Sequence, residues 1–246
     1  MGMTGTYRIA NMVVRICSLH EQVHRQCTEY RISDEAADIA VTIAQRDIDA
    51  ERSCSLRDEK QRTAEYRDAY LESLAVYRKI AEQAPFFDTV LMHGSCISVD
   101  GEAYLFTAKS GTGKSTHARL WRELLGERAI MVNDDKPLIC IAKEGATVYG
   151  TPWDGKHHLS TNCAVPLKAI CVLERAEQNR IRRINPAEAY PCLLQQIYRP
   201  SDTEAMRTTI QLVDRLSGVV ALWRLGCNMD PEAAEIAYRA MKGSGS

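Results

Sequence analysis

Leu105-Phe106-Thr107-Ala108-Lys109-Ser110-Gly111-Thr112-Gly113-Lys114-Ser115-Thr116 is the stretch on which the fold turns. An apolar, strand-like run from Ala103 to Thr107 feeds a glycine-containing turn. The turn ends in Gly-Lys-Ser-Thr and opens into a helical pattern from His117 to Leu125. This is the layout of a P-loop (Walker A): backbone N–H groups of a tight turn cradle phosphate oxygens, and a helix N-terminus adds its positive dipole end. Ser110, Gly111, Thr112, Gly113, Lys114, Ser115 and Thr116 are therefore the candidate nucleotide-binding residues. Lys114 is expected to reach the terminal phosphates and the Ser115 hydroxyl to ligate Mg²⁺. Ala108 stands where the motif's first glycine usually sits, a position alanine fills at low cost only with negative φ.

The 246 residues suffice for one sizeable core with an appended subdomain. With 45% apolar and 26% charged residues the composition is that of a soluble globular protein. A net charge of −1 gives no overall positive field, which argues against nucleic acid and anionic membrane as partners. No apolar stretch reaches bilayer-spanning length and no charged-then-apolar leader opens the chain, so a cytoplasmic protein is expected. The nine cysteines are scattered without a C-x-x-C pair, and buried reduced thiols explain them better than zinc or disulfides.

Three segments are expected: a small N-terminal α+β module at 1–87, a nucleotide-binding catalytic domain at 88–242 and a flexible tail at 243–246. In the first, Tyr7 to Cys17 reads as one strand. Ile39, Val41 and Ile43 mark a second, and Asp47, Asp49, Glu51 and Arg52 a polar loop after it. Periodicity predicts a helix from Thr63 to Ala84 with Tyr66, Tyr70, Leu74, Tyr77 and Ala81 on its core face and Leu71 and Ile80 alongside, ended by Pro85. In the second, strands follow one another. Val90–Met92 and Ile97–Val99 precede an Asp100-Gly101 hairpin turn, whose returning strand delivers the P-loop. Ala129–Val132, Leu138–Ile141, Thr147–Tyr149, Ala169–Leu173 and Val219–Leu225 are further strands. Helices are predicted over Pro186–Ile197, Thr203–Leu216 and Pro231–Met241, the last with Asp230 as N-cap. A hairpin ahead of the P-loop implies an α/β fold built on a mixed sheet, unlike an all-parallel nucleotide-binding sheet.

Asp134 and Asp135 follow an apolar strand, twenty residues beyond Lys114. Phosphoryl transfer needs one carboxylate to hold Mg²⁺ and another to accept the proton of the attacking hydroxyl. Neighbouring residues on a strand face opposite ways, so both serve one site only if the backbone turns between Asn133 and Lys136. His93-Gly94, then Ala108-x-x-Gly111-x-Gly113-Lys114-Ser115, then Asp134-Asp135 resembles the catalytic domain of bacterial HPr kinase/phosphorylase over roughly residues 88 to 175. The same order is seen in HPr-kinase-like enzymes such as lasso-peptide precursor kinases. The resemblance implies a phosphoenolpyruvate carboxykinase-type P-loop core with ATP and Mg²⁺ as cofactors. It makes Asp134 the general base, puts Asp135 beside the metal and places His93 near the reacting groups. The family's later Glu-x-Arg-Gly-x-Gly loop is not found. The comparable stretch is Tyr149-Gly150-Thr151-Pro152-Trp153-Asp154-Gly155-Lys156-His157-His158, which implies a divergent subfamily with its own acceptor.

In that loop Trp153 is a candidate to stack on a base or an acceptor, and Lys156 to neutralise phosphate charge. The expected activity is Mg²⁺-ATP-dependent transfer of the γ-phosphoryl group to a hydroxyl on a peptide, small protein or metabolite. Homo-oligomerisation stays open. The alternative is an ATPase or GTPase switch module without an acceptor. The Asp-Asp pair and the upstream His-Gly favour the kinase, because switch NTPases usually carry a lone strand-end acidic residue. A carboxykinase is disfavoured by the short chain and by the lack of a second lysine and histidine set for a transition metal.

Overall fold

Ala10 takes a left-handed backbone conformation (φ 56°) and divides the stretch expected as a single strand. The computed structural model, which describes residues 2–33, 35–57 and 66–243, has a hairpin there. Strands β1 (Met3–Ile9) and β2 (Met12–Ser18) pair antiparallel from Met3↔Ser18 to Ile9↔Met12. This Ala-Asn turn has neither glycine nor proline, and its positive φ falls on Ala10 and not on the asparagine, so Asn11 is its one weak signal.

After a short helix α1 (Gln22–Gln26), strand β3 (Ile39–Thr42) joins β2 in parallel and completes a three-stranded sheet. The charged run from Asp47 to Arg52, expected as a loop, lies in helix α2 (Gln45–Arg57). Its charges are paired with the next helix, α3 (Asp68–Gln83): Asp47 with Lys79, Glu51 with Arg78 and Arg52 with Asp68. A pattern poor in apolar residues thus becomes helical through partners outside its own window. In α3 Leu71, Tyr77, Ile80 and Ala81 face the core as expected, but Tyr70 does not and Leu74 is only half-buried. Leu71, Ala75, Val76, Tyr77, Ile80 and Ala81 are buried together with Glu72 and Ser73, while Tyr70 is exposed and stacks on Tyr66. The polar Glu72 and Ser73 disguise part of the buried stripe. Thr63 to Glu65 of the predicted helix lie outside the described residues. The helix ends at Gln83, and Pro85 sits in a 3-10 turn, Ala84–Phe87.

The chain divides into two units, Met1–Phe87 and Asp88–Ser246. The second begins with β4 (Thr89–Leu91), β5 (Ser95–Val99) and β6 (Glu102–Thr107). Helix α4 (Lys114–Leu125) follows the P-loop and starts three residues earlier than its apolar pattern suggests. Then come β7 (Ala129–Asn133), β8 (Leu138–Ile141), β9 (Ala146–Tyr149), β10 (Ala164–Arg175) and β11 (Arg180–Arg183). Helices α5 (Pro186–Gln196) and α6 (Thr203–Val219), strand β12 (Ala221–Cys227) and helix α7 (Glu232–Lys242) complete it. Among the described residues the strands form one mixed sheet in the order β4-β8-β9-β10-β6-β5-β7. β12 lies against β10, and β11 against β12. The fold class is α/β with a mixed sheet.

Asp100 and Gly101, both at positive φ (54° and 84°), make the hairpin turn between β5 and β6. β10 is longer than its apolar heart. A register shift between Leu167 and Ala169 lets it pair antiparallel with β9 at one end and parallel with β6 and β12 at the other. β11 has no counterpart in the expected strands: Arg-Ile-Arg-Arg is an exposed edge strand with no apolar alternation to betray it. The cap of α7 is Pro231, with no side-chain bond from Asp230. Residues 244–246 of the expected tail lie outside the described residues.

The sheet is covered on both faces. Phe106, Trp121, Ala237 and Met241 pack in one core with α4 and α7, and Val132, Ile139, Leu193 and Leu212 in another with α5 and α6. Cys27, Cys96 and Cys171 are buried, Cys54 is exposed and the other five cysteines are half-buried; all are unpaired. Among the described residues no helix is long and apolar enough to cross a membrane.

Candidate active site

β5 runs antiparallel between β6 and β7, and this alone gathers the candidate residues at one sheet edge. Cys96 at the start of β5 lies opposite both Leu105 of β6 and Asn133 of β7. The C-terminal ends of β6 and β7 therefore emerge beside the segment that enters β5. Those three ends carry the P-loop, the Asp134-Asp135 pair and His93-Gly94, respectively. Crevices of this kind, outside the carboxyl ends of strands, are where open α/β sheets bind ligands.

The P-loop bend depends on Gly111 and Gly113, whose φ angles of 79° and 119° exclude a side chain at low cost. Ala108 is buried and has no positive φ, so the missing first glycine costs nothing here. The Thr112 N–H donates to the Lys109 carbonyl (3.2 Å), and the Arg175 Nη2 donates to the Gly111 carbonyl (2.5 Å). Ser110, Gly111 and Ser115 are exposed; Thr112, Gly113 and Thr116 are half-buried. The N–H groups of the first turn of α4 face no preceding turn, as in any helix start. Behind the loop, His117 accepts from Trp121 Nε1 at Nε2 (3.1 Å), which leaves its ring proton on Nδ1. Burial pulls this imidazole down to about 4, so it stays neutral beneath α4.

Lys114 is not solvent-facing, as an unliganded P-loop lysine would be expected to be. It is only 8% exposed, and its Nζ donates to the Ala108 carbonyl at 3.0 Å. Burial lowers its pKa, while the Asp135 and Asp134 carboxylates oppose that shift. Both acids thus act on one ammonium, which requires the turn after Asn133.

Asn133 makes that turn. Its Oδ1 accepts the N–H groups of Asp135 (2.9 Å) and Lys136 (2.7 Å). Its amide donates to the Thr151 carbonyl (3.1 Å), the Thr151 Oγ1 (3.0 Å) and the Trp153 carbonyl (3.4 Å). One fully buried side chain therefore bends the acidic pair and ties it to the 150s loop. Asp134, 8% exposed, accepts from Ser95 Oγ at Oδ1 (2.7 Å). Burial raises its pKa against the opposing pull of the Ser95 hydroxyl and of His157. Asp135 Oδ1 lies 3.4 Å from His93 Nε2, and its Oδ2 lies 3.6 Å from Lys136 Nζ. The His93 N–H donates to the Gln196 carbonyl (2.8 Å), so α5 reaches the same edge. Burial first and the Lys114 charge second lower the His93 pKa, with Asp135 opposing them.

The 150s loop divides into a buried and an exposed part. Trp153 is 4% exposed, so its ring packs inward and offers no face for stacking; Lys156 is exposed. Ser95, Gln196 and Arg175 also belong to this edge, and none of them is among the expected site residues. Ser95 stands two residues after His93-Gly94 begins, and that spacing is its one available signal. Arg175 lies 64 residues from its P-loop partner and gives no local signal.

Among the described residues no three His, Cys, Asp or Glu side chains converge as a metal cage. The oxygens of Ser115, Asp134 and Asp135 suit Mg²⁺, which takes one or two carboxylates and fills its shell with water and phosphate. Separately, a cavity of 580 Å³ is lined by Arg182, Asn185, Glu188 and Leu222, and none of its lining residues belongs to the P-loop or the acidic turn.

Fold and site together define a mixed-sheet α/β protein with a P-loop beside an acidic turn. The family model described as "SynChlorMet cassette protein ScmC" matches residues 53–206, more than half of the chain. The chain belongs to this family. Among curated proteins no sequence matches it. Among solved structures, one that it resembles is the Hpr(Ser) kinase/phosphatase from Coxiella burnetii. The identity is 10% and the TM-score 0.34, and the match covers 62% of this chain and 99% of that one.

Proposed function

We propose that this chain is a Mg²⁺-ATP-dependent kinase that transfers the γ-phosphoryl group to a hydroxyl, with Asp134 as general base. The observation that carries the reading is the strand register that brings the loop after β6 and the turn at 133–135 after β7 out side by side. It puts the candidate base beside the loop whose Lys114 and Ser115 would hold the triphosphate and the metal.

Bound Mg²⁺ would neutralise phosphate charge. Lys114 and the N–H groups from Ser110 to Ser115 hold and align the triphosphate, and Ser115 and Asp135 are the residues placed to hold the ion. Asp134 takes the proton of the acceptor hydroxyl as its oxygen bonds to the γ-phosphorus. The bond from that phosphorus to the bridging oxygen breaks, and the electron pair leaves with the diphosphate. The raised pKa suits Asp134 to accept a proton, since a more basic carboxylate is the better base. His93, its pKa lowered by burial and the Lys114 charge, stands 3.4 Å from Asp135 on the metal side of the proposed site. The N-terminal unit is assigned acceptor selection or assembly.

Calorimetry with Mg²⁺ and each common nucleotide tests the first half. γ-Labelled ATP incubated with a cell lysate and a metabolite pool tests the second. The reading requires heat with Mg²⁺-ATP and label on a hydroxyl acceptor. The absence of heat with every nucleotide would remove the P-loop assignment and the kinase with it.

A further inference from the structure

Residues 155 to 158 are fastened to both aspartates. Gly155 sits so close to Asp135 that a Cβ on it would come within 3.0 Å of the Asp135 Cβ, and its φ is 78°. At the other end the Leu159 carbonyl accepts the Asp134 N–H (3.1 Å), and Ser160 forms a β-bridge with Asn133. The Asn133 amide holds the Trp153 carbonyl just upstream. The side chains between these ties, Lys156, His157 and His158, are all exposed.

Lys156 and His157 are not paired within the loop, while His158 meets its one acid. Asp154, the loop's one acid, is buried and accepts from Ser160 Oγ (2.9 Å) and contacts His158 Nδ1 (3.2 Å). Lys156 and His157 have no hydrogen-bond or ion-pair partner among the described residues. Lys114 and a bound metal would already supply cations to the triphosphate. In an in-line transfer the attacking oxygen enters opposite the leaving group, and the carboxylate that takes its proton lies on that side. The segment tied to that carboxylate is therefore on the acceptor's side of the reaction.

We infer that Lys156, His157 and His158 form an anion-binding subsite for the acceptor, so that the hydroxyl phosphorylated belongs to a molecule carrying a carboxylate or phosphate close to it. This rests on the kinase reading. A neutral alcohol would leave Lys156 without a counter-charge. An acidic acceptor is held by charge-assisted hydrogen bonds that fix its hydroxyl over Asp134.

The test uses the full chain saturated with Mg²⁺ and the non-hydrolysable imido analogue of ATP, its binding first verified by calorimetry. D-glycerate, glycerol 3-phosphate and glycerol are then titrated while the imidazole proton–carbon NMR signals are followed, assigned through His157→Gln and His158→Gln. The expected result is a saturable shift of the His157 signal with glycerate, glycerol phosphate or both, and none with glycerol. The stronger of the two anions identifies carboxylate or phosphate as the group read. Lys156→Ala should weaken that binding about tenfold or more, the scale of one charge-assisted bond, with analogue affinity unchanged. Bound analogue with unmoved imidazoles, an equal response to glycerol, or an unchanged anion affinity in Lys156→Ala overturns the proposal alone. Failure of the analogue to bind removes the kinase reading and this subsite together.

Discussion

Glu72 in the N-terminal unit and Asp134 in the second unit are both buried carboxylates, and their surroundings are opposite. Glu72 is completely covered. It accepts the backbone N–H groups of Leu19 (2.5 Å) and His20 (2.8 Å), and a ring contact from His20 Nδ1 lies at 3.0 Å. Its lone pairs are spent on holding the end of β2 against α3. Among the described residues the Asp134 carboxylate accepts a side-chain hydrogen bond from the Ser95 hydroxyl, and burial leaves its charged form short of stabilisation. A carboxylate surrounded by fixed N–H donors is a fastener. One met by a hydroxyl that can rotate away stays available for chemistry.

The largest effect expected from this contrast is at Asp134. Asp134→Asn keeps the shape and accepts the same hydroxyl bond, but it cannot take a proton. Phosphoryl transfer should fall about 10²- to 10⁴-fold, the usual share of a positioned general base. Affinity for Mg²⁺-ATP should stay within a few-fold. Should nucleotide binding disappear while residual transfer survives, Asp134 is a metal ligand and the base lies elsewhere.

Lys114→Met comes next. Each charge-assisted bond to a phosphate is worth about 1.5–3 kcal/mol, so calorimetry should read a loss of nucleotide affinity of about 10- to 100-fold. The ligand-free protein should melt no lower, because an apolar side chain of similar length replaces a buried ammonium. A clear drop in melting temperature would mean that the Nζ bond to Ala108 shapes the empty P-loop.

Glu72→Gln should act the other way, on stability and not on nucleotide affinity. One of the two acceptor oxygens becomes an NH₂ facing N–H donors, at a cost of about 2–3 kcal/mol. Denaturant unfolding would register it. A neutral result would erase the distinction between the two carboxylates.

Part of this architecture is legible in the chain itself. The strand–turn–helix of the P-loop, the Asp100-Gly101 hairpin and the Asp-Asp pair rest on local chemistry, and local chemistry is written in consecutive residues. What escapes is what depends on partners far away. Helix α2 owes its helicity to ions on α3, and part of the core face of α3 is hidden by Glu72, whose donors lie more than fifty residues earlier. Asn133 reads as an ordinary turn residue until Thr151 and Trp153 close around its amide. Lys114 reads as exposed because motif residues are pictured with their ligand, yet the Ala108 carbonyl claims it first. Trp153, a stacking platform by residue type, is drawn inward by the same loop closure.

The smallest and most discriminating effect lies in the pH dependence of stability. The folded-state pKa of Asp134 is raised above its unfolded value, with burial the first cause. Between the ordinary aspartate pKa of about 3.9 and the raised one, the folded protein binds more protons at this site than the unfolded chain does. Stability contributed here is present at low pH and is lost as pH rises through that window. His93 has the opposite linkage: its folded pKa lies below the unfolded value, so its contribution is present above the histidine range and lost on acidification. Melting curves of the ligand-free wild type and of Asp134→Asn, taken across that window, separate the two. The histidine term is common to both proteins and cancels in their difference. The variant should gain on the wild type as pH rises out of the acid range, and the gap should shrink when Mg²⁺-ATP is added, because the bound ion relieves the buried charge. If the two curves run parallel, Asp134 is as well satisfied as Glu72, and a hydroxyl partner does not leave a carboxylate poised.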